Sequence, residues 1–144
     1  VRFSQVHLGI AAQGAQGLVV PVIRHAERRT TADLAREVDR LVEGARSGSL
    51  APAELAGSTF TINNYGVYGV DGSAAIINYP EAAILGLGRI VDRPWVVEGA
   101  LAVRKVTQLT LAFDHRVCDG RAAGQFLRFV ADCVESPLAA LAHL

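Results

Sequence analysis

The sequence predicts an α+β fold, a two-layer sandwich in which a mixed β-sheet carries helices on one face. The predicted order is two strands, one helix, several strands and a final helix. Strands and helices therefore do not alternate regularly, as they would in a doubly wound parallel sheet. Hydrophobic residues make up 51% of the 144 residues and charged residues only 19%, which is enough to build one apolar core.

The N-terminal half predicts a β-hairpin followed by an amphipathic helix. Strands are expected over residues 6–12 and 17–24. Pro21 places the second strand at an edge or in a bulge, because proline has no N–H group to donate to a neighbouring strand. Thr30 and Thr31 can both cap this helix, apolar residues then recur every three or four positions, and Gly48 ends it.

The C-terminal half predicts further strands and a second helix. The last strand runs directly into the segment DHRVCDG, residues 114–120, and the helix that follows it ends before Pro137. Strands are expected over residues 58–64, 75–78, 82–91 and 101–115.

Charge and hydropathy exclude two classes of partner. Lysine and arginine together number 14, as do aspartate and glutamate, and the net charge is +0. No basic run exists, so nucleic acid is not expected as a partner. No apolar stretch approaches the length of a membrane span, and the N-terminus lacks the layout of a signal peptide, so no membrane partner is expected either.

The cysteines and histidines predict neither a disulfide framework nor a metal site. Cys118 and Cys133 are interpreted as small apolar side chains in a reducing compartment, the bacterial cytoplasm or the mitochondrial matrix. His7, His25 and His143 lie far apart, and no pair of them has the spacing of metal ligands.

The segment DHRVCDG has two interpretations. The expected strand places His115 at its C-terminal end, in a strand-to-helix loop, where reactive side chains are often presented. One interpretation is structural, with Asp119 as a helix cap and His115 as an ordinary histidine. In the other, His115 is a general base for a substrate's own nucleophile, because no metal partner or serine motif accompanies it, and Asp119 orders the loop.

The spacing from His115 to Gly120, H-x-x-x-D-G, resembles the active-site signature of chloramphenicol acetyltransferase and the dihydrolipoamide acyltransferases. The latter are the acyltransferase components of the 2-oxo acid dehydrogenase complexes. Their catalytic domains are also similar, in order and distance, to the segments GLVVPVI, GSTFTINNYGVYG, AAIINYPEAAILGLGRI and DHRVCDGRAAGQFL. The resemblance covers essentially the whole chain and implies a chloramphenicol acetyltransferase-like fold.

The resemblance implies acyl transfer between a lipoyl arm and coenzyme A. His115 would take the proton from the coenzyme A thiol, and the thiolate would attack the thioester carbonyl. Asn63 lies where many relatives carry a hydroxyl that stabilises the oxyanion, and its amide can also donate. A bound water or Asn64 could take that role instead, or both asparagines could simply end a strand. By the same resemblance, Asn64 and Gly88 lie near the coenzyme A arm.

The resemblance also implies an assembly. In the family, the active site lies between neighbouring subunits of a trimer within a larger cage, and the tail over residues 138–144 is a candidate for contact between trimers. The sequence is expected to lack the N-terminal portion of the catalytic domain, the lipoyl domain and the subunit-binding domain. Through those domains the dehydrogenase and dihydrolipoamide dehydrogenase components would bind.

Two other functions stay open at this point. One is a stand-alone coenzyme A-dependent acetyltransferase that acts on a small alcohol or amine, and the other is a catalytically silent scaffold. The acyl group is also open, because acetyl, succinyl and branched-chain enzymes share these motifs. The form NNYGVYG, residues 63–69, resembles most the bacterial branched-chain type.

Overall fold

A computed structural model of the chain describes residues 3–140. Six strands form one sheet, and two further strands pair only with each other in a projecting arm. In chain order the strands and α-helices are β1 (Leu8–Gly14), β2 (Gly17–Val19), β3 (Val22–Ile23), α1 (Thr31–Ser47), β4 (Phe60–Asn64), β5 (Ala83–Leu87), β6 (Val91–Val97), β7 (Ala100–Val106), β8 (Leu109–Phe113), α2 (Gly120–Glu135) and α3 (Pro137–Ala140).

The sheet is mixed, as predicted. Its order is β2-β1-β4-β5-β8, with β3 paired to β1 beside β2. The three central strands β1, β4 and β5 run parallel to one another, and the outer strands β2, β3 and β8 run antiparallel to their neighbours. The C-terminal end of β8 therefore lies at the same end of the sheet as the N-terminal ends of β4 and β5.

The predicted hairpin is confirmed, and Pro21 divides its second strand. Both β2 and β3 pair antiparallel with β1, so they form the edge that the proline predicted. Pro21 is buried at the break between them. Its carbonyl accepts a hydrogen bond from Ile10 N at 2.9 Å, so the chain stays attached to β1 where the ladder is interrupted.

The first helix forms as its sequence predicts. The Thr30 hydroxyl accepts a hydrogen bond from Asp33 N at 3.1 Å, and the Asp33 carboxylate accepts one from Thr30 N at 3.3 Å. This capping box satisfies two backbone N–H groups that have no partner within the helix. Gly48 ends α1 with a φ of 70°, a left-handed conformation that favours glycine. Leu41 is fully buried beneath the helix.

Both long helices cover the same face of the sheet. Gly14 and Leu8 point to one side of β1, because an even number of positions separates them. A Cβ at Gly14 would lie 3.3 Å from the carbonyl oxygen of Ala45 in α1. Leu8 pairs with Phe60 of β4. The Phe60 ring packs edge-on against the ring of Phe126 in α2, with 5.8 Å between the ring centroids. The two-layer arrangement with helices on one face is thus confirmed.

Three predicted strands need correction. Residues 75–78 form no strand, and the strand expected over 82–91 ends at Leu87. The single strand expected over 101–115 is two strands, β7 in the arm and β8 in the sheet. The strand is interrupted at Thr107–Gln108, where the chain bonds to Gly88 instead of continuing the arm. Gly88 N donates to Gln108 O at 2.9 Å, and the Thr107 hydroxyl donates to Gly88 O at 2.8 Å.

The sequence analysis missed β6 and therefore the arm. β6 and β7 pair antiparallel across the turn Glu98–Gly99, in which both residues have positive φ angles of 51° and 82°. This geometry is that of a two-residue hairpin turn with the twist that antiparallel strands prefer. The signal was present as the apolar run WVV, then EG, then ALAV. The arm exposes apolar side chains, among them Leu101 at 79% and Val103 at 68%.

The C-terminal end of the chain continues beyond α2 with the short helix α3. Leu138, at its start, is 81% exposed. Residues 141–144 of the predicted inter-trimer contact lie outside the described residues. None of the helices within residues 3–140 combines the length and apolar character required to cross a bilayer.

Candidate active site

The turn after β8 presents His115 to solvent. Asp114 N donates to Ala82 O at 2.8 Å, which extends the pairing of β5 and β8 by one bond, and Val117 N donates to Asp114 O at 2.9 Å. His115 lies between these two anchored residues and is exposed. Its ring lies 5.6 Å from the ring of Phe113, measured between centroids. A histidine held by backbone bonds and open to solvent can meet a substrate.

The charged neighbours of His115 pair with each other. Arg116 donates to the Asp114 carboxylate through its side chain, at 2.7 and 3.0 Å, and through its backbone N–H at 2.9 Å. These bonds, the side-chain bonds first, lower the pKa of Asp114 to about 2. The carboxylate is therefore ionised at neutral pH, and it neutralises the guanidinium beside the histidine.

Asp119 caps α2. Its carboxylate accepts a hydrogen bond from Ala122 N at 2.8 Å, and its φ of −93° and ψ of 171° are those of an N-cap residue. In the described part of the chain, no hydrogen bond joins this carboxylate to His115. The geometry agrees with a carboxylate that orders the loop around the histidine, and it places His115 and Asp119 in one turn.

Asn63 and Asn64 lie at the C-terminal end of β4. Asn63 is half-buried on the face of the sheet opposite the helices, paired with Gly86 of β5. Asn64 is exposed, and its side-chain oxygen accepts a hydrogen bond from Gly66 N at 3.1 Å. That bond is typical of an asparagine that ends a strand. It occupies the Asn64 oxygen, whereas the Asn63 amide forms no such bond within the described chain.

Gly88 is buried at a close approach of two backbone segments. A Cβ at this position would overlap the carbonyl oxygen of Asp71. Asp71 in turn forms ion pairs with Arg89 and, at 2.9 Å, with Arg93. The hydrogen bond from Arg89 is the main cause of the lowered pKa of Asp71. The sequence did not reveal this cluster, because only the fold brings Asp71 to the two arginines.

Two open clefts lie on the arm side of the sheet. One, of about 320 Å³, lies beside the Asp71 cluster and is lined by Arg89, Arg93 and Gln108 among others. A larger groove of about 930 Å³ lies between the arm and α2. Neither is lined by His115 or Asn63. These two clefts therefore lie apart from the predicted catalytic side chains.

Strand pairing shows how far apart the two predicted catalytic groups lie. Gly86 of β5 pairs with Asn63, whereas Ala83, three residues earlier, pairs with Phe113. Three residues of extended chain span about 10 Å, and His115 lies two residues beyond Phe113. Within one chain, the predicted base and the predicted oxyanion donor therefore lie at opposite ends of the central strands.

A buried carboxyl group, which the sequence analysis did not single out, lies at the same end of the sheet as His115. Glu81 is only 7% exposed, and its Oε1 accepts hydrogen bonds from Thr61 at 2.8 Å, from Asn78 at 3.0 Å and from Ser58. Within the described residues, its Oε2 is buried and has no hydrogen-bond partner. A glutamate followed directly by the apolar run AAIL was the available signal.

Metal-ligand clusters do not contribute to the site as described. Over residues 3–140, no group of three or more histidine, cysteine, aspartate or glutamate side chains is arranged to hold a metal ion. The free thiols of Cys118 and Cys133 are both half-buried.

Comparison with solved structures identifies the fold. The chain superimposes on a dihydrolipoamide acetyltransferase of Azotobacter vinelandii with a TM-score of 0.88 and 38% identity, covering 98% of this chain and 58% of that one. That enzyme has been investigated for the roles of a serine, a histidine and an asparagine in its mechanism. A probable dihydrolipoamide acetyltransferase of Listeria monocytogenes gives a TM-score of 0.89 and 39% identity, over 94% and 58% of the two chains.

Sequence comparison gives relatives with three acyl groups in their names. The lipoamide acyltransferase component of the branched-chain α-keto acid dehydrogenase complex of Pseudomonas aeruginosa is 50% identical over 136 residues. The mitochondrial succinyltransferase component of 2-oxoglutarate dehydrogenase complex 1 of Arabidopsis thaliana is 45% identical over 132 residues. The acetyltransferase component of the acetoin cleaving system of Bacillus subtilis is 44% identical over 140 residues.

The matches cover most of this chain but only part of each relative. The three relatives are matched over 94%, 92% and 96% of this chain, but over only 32%, 28% and 35% of their own length. The family of 2-oxoacid dehydrogenases acyltransferase (catalytic domain) matches residues 1–142. The chain therefore belongs to the acyltransferase catalytic-domain family of the 2-oxoacid dehydrogenases.

Proposed function

We propose that the protein containing this chain transfers an acyl group between dihydrolipoamide and coenzyme A, with His115 as the general base. The observation that carries the proposal is the exposed His115 ring in a turn that β5 and α2 hold at both ends. Family membership adds the reaction class. The bacterial and mitochondrial relatives support action in the bacterial cytoplasm or the mitochondrial matrix.

The reaction needs a base, a nucleophile and a donor for developing charge. A ring nitrogen of His115 takes the proton of the coenzyme A thiol, whose ordinary pKa of about 8.5 requires only modest help near neutral pH. The thiolate attacks the thioester carbonyl and forms a tetrahedral oxyanion. When the intermediate collapses, the bond to the lipoyl sulfur breaks and the histidine returns the proton to that sulfur.

Spacing supports the roles proposed for Asn63 and Asp119. In the Azotobacter enzyme, the serine precedes the histidine by the same number of residues that separates Asn63 from His115. The asparagine of that enzyme follows its histidine at the same interval as Asp119 follows His115. We assign Asn63 the role of oxyanion donor through its amide, and Asp119 the role of ordering the loop.

A complete site requires two copies of the chain. His115 and Asn63 lie at opposite ends of one sheet, so the His115 turn of one subunit must meet the β4 end of the next. Exposed apolar side chains on α2 and on the arm, among them Phe126, Val134 and Leu101, provide surface for such contacts. A head-to-tail interface of this kind closes into a ring, and the proposed ring is a trimer.

The larger assembly and the partners rest on the relatives. The chain matches, at 37% identity and a TM-score of 0.88, a structure described as the cubic core of a pyruvate dehydrogenase multienzyme complex. We propose that the trimers likewise assemble into a cage. The dehydrogenase and dihydrolipoamide dehydrogenase components would then bind through other parts of the protein, which would also carry the lipoyl group.

The β4 end and the neighbouring cleft are the proposed path of the coenzyme A arm. Asn64 lies at the exposed end of β4, and Gly88 lies where the chain passes close to Asp71. On this path, Gly88 acts by leaving room for the Asp71 segment rather than by touching the substrate. The nearby cleft of about 320 Å³ is open to the arm side of the sheet.

The proposed acyl group is a branched-chain one, with acetyl as the alternative. The two relatives at 50% and 44% identity from Pseudomonas carry the branched-chain name, whereas succinyltransferases reach 45%. A difference of one methylene in a pocket changes selectivity by about 1–3 kcal/mol. Rates of the full-length protein with isobutyryl-, acetyl- and succinyl-coenzyme A decide among the three groups.

The test of the proposed function is acyl exchange between acyl-coenzyme A and dihydrolipoamide by the full-length protein. We expect His115→Ala to lower kcat by about 10²–10⁴-fold, because the thiol loses its base. His25→Asn is the matched control, since it removes another histidine at a left-handed position that asparagine tolerates. An unchanged rate for His115→Ala would instead favour a scaffold.

A second outcome separates the two enzyme hypotheses. If the wild-type protein acylates a small alcohol or amine but not dihydrolipoamide, the stand-alone acetyltransferase replaces the present proposal. Exchange with dihydrolipoamide that depends on His115 excludes both the scaffold and the stand-alone enzyme as the main activity.

A further inference from the structure

We propose that Glu81 is a positioning residue for His115, which it holds in place through the backbone of β5 and the turn after β8. The inference rests on the proposed function, because its main readout is the rate of acyl transfer. It adds a residue that contacts no reacting atom, and whose role depends on one carboxyl oxygen.

The first step is the number of hydrogen bonds that this one oxygen accepts. Oε1 of Glu81 accepts from Thr61 Oγ1 at 2.8 Å, from Asn78 Nδ2 at 3.0 Å and from the Ser58 hydroxyl. The backbone N–H of Glu81 also donates to Asn78 O at 2.9 Å. One buried atom therefore joins the start of β4, the 78–80 turn and the segment that leads into β5.

The second step is burial. Glu81 is 7% exposed and Thr61 is fully buried, so water does not compete for these bonds. In such surroundings, a donor that loses its acceptor costs more than the bond itself gains. In the part of the chain that the structure describes, the Oε2 atom of Glu81 has no partner, so the whole contribution of the carboxyl group passes through Oε1.

The third step connects this junction to the histidine. Glu81 immediately precedes Ala82, and the Ala82 carbonyl accepts the hydrogen bond from Asp114 N at 2.8 Å. Asp114 is the first residue of the turn that carries His115. A shift of the 78–82 backbone therefore moves the anchor of the turn. Displacement of a catalytic group by about 1 Å can lower a rate by about 10²-fold.

The test compares Glu81→Ala with Glu81→Gln in the full-length protein. We expect Glu81→Ala to lower kcat by about tenfold or more, with the KM for acyl-coenzyme A changed by less than about twofold. Glu81→Gln keeps an oxygen acceptor for the three donors, so it should retain kcat within about twofold. Ser58→Ala removes one donor only and should give an intermediate loss of kcat.

The matched control is Leu41→Ala in α1. Leu41 is fully buried on the helical side of the sheet, far from the 78–82 segment in the chain, so its truncation destabilises the fold without touching the junction. We expect its kcat to remain near that of the wild type. An equal loss of kcat in Leu41→Ala and Glu81→Ala overturns the inference, as does failure of Glu81→Gln to preserve the rate.

A readout that does not depend on activity keeps the two proposals separate. Hydrogen exchange of the peptide that contains Asp114 reports directly on the bond from Asp114 N to Ala82 O. We expect faster exchange there in Glu81→Ala and unchanged exchange in Leu41→Ala and Glu81→Gln. If the wild-type protein has no acyl exchange activity, the proposed function fails while this measurement still decides the role of Glu81. Unchanged protection in Glu81→Ala rejects that role.

Discussion

Asn63 presents an amide at the end of β4, where the proposed acyl transfer requires a hydrogen-bond donor. Its partner position on β5 is Gly86, and the Tyr65 ring and the Thr110 hydroxyl fill the space next to that glycine. The neighbouring Tyr65 is buried, and its hydroxyl is hydrogen-bonded to the Thr110 hydroxyl at 2.9 Å. Asn63 is half-buried and keeps its amide unpaired within the described chain, so it remains the donor that we propose for the oxyanion.

Replacement of Asn63 tests that assignment. We expect Asn63→Ala to lower kcat by about 10²–10³-fold, the usual effect of removing one oxyanion donor. Asn63→Ser keeps a donor and should retain more activity than Asn63→Ala. The control is Leu41→Ala, which destabilises the fold from the helical side of the sheet, away from the end of β4. Steady-state kinetics of the exchange reaction give the answer, and equal rates for Asn63→Ala and wild type would remove Asn63 from the mechanism.

The Asp114–Arg116 pair gives a pH prediction. The pKa of Asp114 in the folded chain is about 2, below its ordinary value of 3.8. The pair therefore stabilises the turn at pH values above 3.8, and this contribution is lost as the pH falls from 3.8 through about 2. No change in this pair is expected between pH 5 and 8.

Carboxyl chemical shifts measured by NMR over an acid titration check this prediction. Arg116→Gln should raise the pKa of Asp114 toward 3.8, because the charged hydrogen bonds are the main cause of its low value. The pKa of Asp132, which pairs with Arg128 in α2, should stay where it is. A titration of Asp114 that Arg116→Gln leaves unchanged contradicts the assigned cause.

At this scale, the sequence reveals residues that belong to a local pattern. His115 and Asp119 could be recognised because they lie four positions apart in the sequence, within one turn. The cap formed by Asp119 and the strand end at Asn64 follow from local preferences as well. The apolar run after Glu81 could have signalled its burial, but not its partners. Ser58 and Thr61, at the start of β4, lie twenty or more residues away in the chain.

At the scale of elements, α2 begins where the proposed chemistry takes place. Asp119 is both the residue that starts the helix and the residue that closes the His115 turn. The other long helix starts with a similar cap at Thr30, but far from the turn in the chain. Comparing the two caps can therefore distinguish an effect on helix stability from an effect on the order of the His115 turn.

Removal of each cap should therefore have different results. We expect Asp119→Ala and Thr30→Ala each to lower the free energy of unfolding by about 1 kcal/mol. Only Asp119→Ala should also lower kcat, because only its turn carries His115. Chemical denaturation measures the first effect and acyl exchange the second. Equal kcat values in the two variants would show that the Asp119 carboxylate acts only as a cap.

Elements were predicted well where a local signal marks their ends. Thr30 and Gly48 marked the ends of α1. Pro21 indicated that the strand over 17–24 lies at an edge, but not that it divides into β2 and β3. The strand over 101–115 was wrong because its apolar pattern continues through Thr107–Gln108. There the chain leaves the arm for the sheet, and the cause is a long-range bond to Gly88 that no local pattern shows.

At the scale of the whole molecule, the separation of His115 from Asn63 becomes a prediction about subunits. Co-expression of the His115→Ala and Asn63→Ala variants in equal amounts should restore activity. In a randomly mixed ring, a site takes His115 from one subunit and Asn63 from the next, so about one quarter of the sites are intact. A site within one chain would give none.

The measurement is the exchange rate of co-expressed variants against each variant purified alone. Light scattering of the same samples checks that all of them form particles of one size. Activity that stays at the level of the single variants contradicts the shared site, even if the particles are trimeric.

The fold class and the family could be predicted from the sequence, because they depend on the order of elements and on short motifs. The sharing of the site between subunits is an expectation that comes from the family resemblance alone. No single-chain pattern states which end of a sheet a side chain reaches, and the opposite placement of His115 and Asn63 follows only from the parallel pairing of β4 with β5 and the antiparallel pairing of β5 with β8.

The Glu98–Gly99 turn bears on the order in which the chain acquires its structure. The arm closes a loop of only two residues, whereas β1 and β4 must find each other across the whole of α1. Short loops close sooner, so the arm is expected to be an early folding event. Once the arm has formed, only the few residues between each of its ends and the sheet separate β5 from β8. The strand that leads to the His115 turn can then pair with β5 by closing a short loop instead of a long one.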